Sequence, residues 1–465
     1  MSANRSSRRP KHAKSPSLLK RINPLAAGID CGSEHHYVAV SQDLDPEPVR
    51  SFRSFTPDLH KLADWLDSCG ITSVAMESTG VYWIPLFDIL EERGFEVILT
   101  CAHDLKSVPG RKSDVLDCQW IQELHSVGLL RGSFRPDADI AALRAYMRHR
   151  GSLVATAATH VQRMQKALVQ MNVQLHVVLS DITGVTGMRI LRDIVAGVAD
   201  PKALAEHRDY RCKAPLEDIV AALTGSYRPE HLFTLRQNLE TYDACQAQIT
   251  ACDAEVEALL NELAAKAATP TDPMPAPRTK RKPRDNAPVF DVRSVLYQLI
   301  GVDLTQIDAI GPHTALKLVS EIGADMSRWP SEKHFVSWLG LSPNNRISGG
   351  RLISSRTTPS PNRAATLFRL SAMALGRTDT ALGANYRRLA FRVGKAKAIT
   401  AIARKLAIIV YRVLRGDITY EDPGADGYDQ MNRSSSLRGL RKRASKLGYA
   451  LVDLESGQVI SGAVS

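Results

Sequence analysis

Between residues 26 and 127 the apolar residues keep switching from the period of a strand to that of a helix, and the order of those switches admits few folds. AAGID is an apolar run ending in a carboxylate, HHYVAVSQ reads as a second strand after the turn CGSE, and VRSFRSF alternates at period two as a third. A helix over 57–69 follows, with Leu59, Leu62, Trp65 and Leu66 on one face, then a short buried strand, SVAM. A second helix from about 84 to 93, the strand FEVILT and a third helix over 113–127 complete the unit. Three meandering strands followed by alternating α and β give an α/β fold class, a mixed sheet in RNase H-like order, expected over residues 24–135.

Residues 136–268 read as almost wholly helical. Leu232, Leu235, Leu239, Tyr242, Gln246, Ile249, Asp253, Val256, Leu260 and Leu263 step by threes and fours, a heptad seam with polar interruptions at Gln246 and Asp253. The seam suits a coiled coil that joins two chains, or a long helix packed within its own subunit. Residues 269–289 are Pro-rich and charged, the composition of a flexible basic linker. A compact, mainly helical unit is expected over 290–416. Residues 1–23 form a basic arm expected to be disordered, and 417–465 a basic tail in which LGYALVDLESGQVISG suggests a terminal hairpin.

The net charge of +11 is concentrated in clusters. Residues 1–21 hold seven Lys/Arg and no acid, 278–284 hold five, and nine lie between Arg387 and Arg415 without an Asp or Glu. Cations gathered in this way attract phosphate, because each neutralised phosphate releases counterions, so nucleic acid is the expected partner. The seven cysteines are scattered and form no CxxC pair, which argues against a disulfide framework or a zinc site and fits a reducing cytosol. No apolar run is long enough for a membrane span, and the basic N-terminus does not read as a secretory signal.

Four acids are candidate catalytic groups. Asp30 closes the first strand, Glu77 the fourth, and Asp114 and Asp117 open the third helix in KSDVLD. Positions three apart share a helix face, and sheets of this kind collect their chemistry at the carboxyl ends of parallel strands. Together the four suit one or two Mg²⁺ ions, or Mn²⁺, hard cations that prefer carboxylate oxygens. Two such ions can stabilise both the attacking and the leaving oxygen of a phosphodiester. Taken singly, each has a plainer reading: Asp114 behind the N-cap Ser113, Asp30 in a turn, Glu77 at a solvated strand end. His35 and His36 read as solvent-facing loop residues, and Tyr82 and Trp83 as core packing or as a surface for a base or sugar.

GID near the start, E-S-T-G-V-Y over 77–82 and K-S-D-x-x-D over 112–117 resemble the signature of the DEDD insertion-sequence transposases of the IS-one-ten family, also described as bridge-RNA-guided recombinases. The second half agrees. IDAIGPHTALKLVSEIG over 307–323 resembles the family's helix-hairpin-helix, F-V-S-W-L-G-L-S-P over 335–343 its next motif, and I-S-G-G-R over 347–351 follows. The resemblance runs from about 26 to 416. It implies an RuvC-like domain, a helical coiled coil and a C-terminal transposase domain. It implies metal binding by Asp30, Glu77, Asp114 and Asp117, and a serine nucleophile at the position of Ser348. It further implies donor and target DNA as substrates, a guide non-coding RNA, and a homodimer or homotetramer in the bacterial cytoplasm. The sequence departs from the family where Ala309 replaces the first hairpin glycine, and where Ser, Thr and Pro crowd the segment after Ser348. From the residues alone, Ser-Gly-Gly is a turn. The competing functions are a metal-dependent structure-specific nuclease of junction-resolvase type, and a nucleic-acid-binding protein without catalysis.

Overall fold

In a computed structural model, β1 (Ala26–Cys31) lies at the centre of a five-stranded sheet, between β2 (His35–Ala39) and β4 (Ser73–Glu77). The structure describes residues 20–78, 80–101, 113–278, 286–454 and 456–460. β3 (Val49–Arg53) and β5 (Glu96–Thr100) complete the order β3-β2-β1-β4-β5. The first three strands pair antiparallel and β1-β4-β5 pair parallel, the mixed RNase H-like sheet expected. On one face, Ile29, Val38, Val74 and Met76 pack under α1 (Thr56–Ser68) and α2 (Ile84–Glu92), whose Leu59, Leu62, Leu66, Leu86 and Leu90 are fully buried. α3 (Asp114–Ser126) covers the other face through Ile121 on Ala75. His36 corrects the sequence reading: it lies inside β2, 1% exposed, because period two turns it toward the α1 core.

The chain divides into two compact units, Met1–Arg135 and Pro136–Ser465. Most of the basic arm lies outside the described residues. Its end is fixed, however: Ile22 and Asn23 donate backbone hydrogen bonds to the Ser126 carbonyl at 2.7 and 2.9 Å, and Arg21 meets Asp43 at 2.8 Å.

The second unit is built on α4 (Ala138–Gln170), followed by α5 (Leu175–Val178), α6 (Val185–Ala196), α7 (Pro201–Ala205), α8 (Leu216–Leu223) and α9 (Pro229–Lys266). The seam of α9 finds its partner within the chain, along α4, and Leu235, Leu239, Ile249, Val256, Leu260 and Leu263 are buried. The polar interruption at Asp253 has a physical reason. Arg150 of α4 reaches it with two nitrogens, the second at 3.0 Å, and both side chains are almost wholly buried. A charge-paired seam residue fixes register rather than a meeting of two chains.

The linker also departs from expectation. Its described part is a docked strap along α10 (Val292–Ile300): Tyr297 Oη donates to the Asp272 carbonyl at 2.6 Å, and Gln306 Nε2 to that of Ala276 at 3.1 Å. Proline-fixed backbone leaves carbonyls free to accept, so a Pro-rich segment can be held by side chains from a neighbouring helix. The basic stretch after Arg278 lies outside the described residues.

A 3₁₀ turn (Leu304–Gln306), the hairpin and α11 (Pro312–Ile322) make the helix-hairpin-helix. Arg144 and Arg148 of α4 hold its far end, on the Glu321 carbonyl at 2.7 Å and the Glu321 carboxylate at 2.7 Å. α12 (Glu332–Trp338), the hairpin β6 (Arg346–Ser348) and β7 (Arg351–Ser354), α13 (Arg363–Leu375), α14 (Ala381–Val393) and α15 (Lys395–Leu414) follow. The tail holds a helix the sequence reading did not anticipate, α16 (Gly424–Lys446), and then the expected hairpin of β8 (Leu451–Val452) and β9 (Val459–Ile460). Among the described residues no helix is long and apolar enough to cross a membrane.

Candidate active site

The acids are placed by a close approach of α3 to β1. A Cβ on Gly28 would lie 2.2 Å from the backbone nitrogen of Gln122 and 2.5 Å from the Cys118 carbonyl, so only glycine lets this helix rest on the strand. Side chains two apart on a strand share a face. Asp30 therefore shares the α3 face with Gly28, and Glu77 shares it with Ala75, which packs on that helix. β1 and β4 are parallel neighbours with Ile29 opposite Met76, so both carboxylates leave the sheet at adjacent strand ends. The Ser113 hydroxyl caps α3 by accepting from the Leu116 amide at 3.4 Å, which starts the helix with Asp114 and Asp117 in its first turn.

The electrostatics record the convergence. Burial pushes the Asp30 carboxyl up to about 6, and the negative fields of Glu77, Asp114 and Asp117 add to that rise. Three like charges acting on one half-buried acid make a pocket that disfavours its own ionisation until a cation enters. Cys118, on the inner side of α3, is pushed up to about 12, by burial first and then by Asp30. Asp114 is exposed and Asp117 half-buried. Among the described residues no three His, Cys, Asp or Glu side chains stand close enough to cage an ion as they are. The four carboxylates thus share a field without forming a closed cage. Sequence reasoning missed Thr100, paired in register with Glu77: fully buried, its hydroxyl has no hydrogen-bond partner. A single threonine at a strand end carries no pattern that would mark it. Hard oxygen donors, an acid with raised proton affinity and an unpartnered hydroxyl opposite Glu77 are a donor set that fits a divalent cation of Mg²⁺ type.

Ser348 lies in the other unit. It ends β6 and pairs with Arg351 across Gly349 and Gly350, whose φ values of 54° and 74° form a two-residue turn. The base of this hairpin is held by the Pro343–Thr357 bridge and by the Asn344 amide on the Arg356 carbonyl at 3.2 Å. Phe335 and Trp338 of the F-V-S-W motif pack with Trp329 and Tyr411 into an aromatic core. That motif is core packing. The tip itself stands out, with Arg346, Ser348 and Arg351 exposed, and among the described residues no side chain hydrogen-bonds the Ser348 hydroxyl.

The hairpin before α11 contains a strained residue. Ala309 has φ +62°, the left-handed region that an L side chain enters only at a cost. Asp308 beside it is held by Tyr420 Oη at 2.7 Å and Arg278 at 2.9 Å, which tie strap, hairpin and tail together.

Tyr82 is exposed, whereas Trp83 is half-buried edge-on to Phe87 at 5.8 Å.

An RNase H-like sheet with carboxylates gathered at the ends of its parallel strands, joined to a helical unit with a helix-hairpin-helix, defines an enzyme that acts on DNA, a transposase or recombinase of the DEDD class, dependent on a divalent metal. Two family models match the chain. One, a DEDD model described as "Transposase", covers residues 27–173, and the other, "Transposase IS116/IS110/IS902 family", covers residues 303–387. The chain belongs to the IS110 family of insertion-sequence transposases. Comparison with curated proteins finds none that matches.

Proposed function

We propose that this transposase excises and inserts its element with Mg²⁺ held by Asp30, Glu77, Asp114 and Asp117 and with Ser348 as nucleophile. The observation that carries the metal reading is the placement of Asp30, half-buried and with its proton affinity raised by that burial and then by Glu77 from β4 and Asp114 and Asp117 from α3. A bound cation would supply positive charge for the scissile phosphate and its developing oxyanion. The chain's own residues do the rest. Asp114 and Asp117, on the first turn of a capped helix, would hold such an ion together with Asp30 and Glu77. Ser348 Oγ attacks phosphorus; the Oγ–P bond forms, the bond from phosphorus to the leaving sugar oxygen breaks, and that oxygen takes up the serine proton. Arg346 and Arg351 flank the tip and bind the phosphate oxygens. The phosphoserine conserves the bond energy until the new strand's hydroxyl displaces it. The family resemblance supports recognition of donor and target DNA through a guide RNA, and the clustered basic residues support backbone contacts that do not depend on sequence.

The test is covalent trapping. Incubating the protein with a plasmid carrying its element and Mg²⁺, then denaturing it, should leave DNA attached to wild-type protein and none to Ser348→Ala. Strand cleavage by Ser348→Ala at the wild-type rate, with no adduct in either protein, would give the reaction to water and make the enzyme a hydrolytic nuclease. Sequencing of RNA that co-purifies with the protein tests the guide.

A further inference from the structure

A helix of 23 residues normally holds its place by burying a stripe of side chains, and α16 buries none. It lies beyond both segments that the family models match. Its sequence carries segregated charge. Asp426 and Asp429 stand near the start, while residues 433–446 hold Arg433, Arg438, Arg441, Lys442, Arg443 and Lys446 and no acid. Acids first and bases last follow the helix dipole, so local physics favours the helix. Among the described residues none of the six forms an ion pair, unlike Arg93, Arg148, Arg150 and Arg293, which each hold a carboxylate. Arg438, Lys442 and Lys446 are four apart and make one row, with Arg441 and Arg443 on either side; Leu437, Leu440 and Leu447 lie on the opposite side and are exposed.

We infer that α16 is an additional DNA-binding element, its basic row set along the phosphates of duplex DNA without regard to sequence. Charge complementarity selects a polyanion, and DNA is the substrate of this enzyme. Shape selects the B-form duplex: a helix with its side chains is about 10–12 Å across and the major groove about 12 Å wide. The A-form RNA major groove is too deep and narrow to admit one. Residues 433–446 extend about 20 Å, along which the duplex carries about one charge every 1.7 Å, so phosphates outnumber the cations. The inference does not depend on the acids or on Ser348.

The experiment measures binding of the full-length protein to a labelled duplex of arbitrary sequence, without divalent ions, across a salt series. Removing the row (R438Q with K442Q and K446Q) should flatten the slope of log affinity against log salt by about 2.7, at about 0.9 per phosphate lost, and weaken binding on the order of tenfold or more. The charge-preserving set (R438K with K442R and K446R) should keep the wild-type slope, and L437S with L440S should leave it unchanged. An unaltered slope in the row variant overturns the inference. So does loss of binding by the charge-preserving set, or by the leucine variant while the row variant still binds. So does weakened affinity for a structured RNA hairpin while duplex affinity holds.

Discussion

Asp30 is where the site works against the fold. Its unfolded value is near 3.8 and its folded value about 6, because burial and then Glu77, Asp114 and Asp117 all oppose its charge. The folded state therefore binds a proton more tightly than the unfolded chain. This group's contribution to stability is fully present below about pH 4 and is lost as pH rises through about 6. Asp30→Asn should accordingly melt higher than wild type at pH 8 in a metal-free buffer, with the gap closing by pH 4. Added Mg²⁺ should raise the wild-type melting temperature at pH 8 and leave the variant's unmoved. Equal melting temperatures at both pH values would deny the shared field. Ala309 supplies a second residue-scale test. At φ +62° an alanine carries about 1–2 kcal/mol of strain, and glycine gives back about half of that in unfolded-state entropy. Ala309→Gly should stabilise the chain by about 0.5–1 kcal/mol in denaturant titrations. The strand-end acids were legible because a carboxylate closing an apolar run breaks the burial pattern. His36 was not, since only the pairing of β2 with β1 and β3 decides how deep in the sheet the start of that strand lies.

At the scale of elements, apolar period explains both what could be read and what could not. β1 to β5 and α1 to α3 follow from it, since each helix must bury a face against one side of the sheet. The seam of α9 was equally regular, but period specifies a partner surface and says nothing about which chain supplies it. α4 supplies it here, with Ile140, Leu143, Met147, Ala157, Met164 and Leu168 buried along a seam of the same spacing, and the buried Arg150–Asp253 pair locks the two helices in register. Arg150→Met leaves a buried carboxylate without its partner and should cost about 3–5 kcal/mol. Arg150→Met with Asp253→Leu should recover most of that loss, since an apolar pair of similar volume removes the desolvation penalty. A double variant no more stable than the single one would show the pair to be more than a register lock. α16 escaped the sequence reading because it buries nothing, and a helix without an apolar stripe leaves no period to find.

In the whole molecule, the acids belong to the unit Met1–Arg135 and Ser348 to the unit Pro136–Ser465. The reaction proposed above draws on both. The acids have no nucleophile among them, and the serine sits at an exposed turn with no base on its hydroxyl among the described residues. A serine hydroxyl becomes a nucleophile only when a neighbour takes its proton or stabilises its charge. The acids and the serine can be supplied by one chain or by two. Complementation tests this directly. Asp117→Ala and Ser348→Ala should each be inactive alone. In a mixed dimer built across protomers, one centre combines both lesions and the other combines neither. Random mixing makes half the dimers mixed, each with one intact centre of two, so adduct formation should return to about a quarter of wild type. If each chain instead folds its serine onto its own acids, every protomer in the mixture carries one lesion and no adduct appears at any mixing ratio.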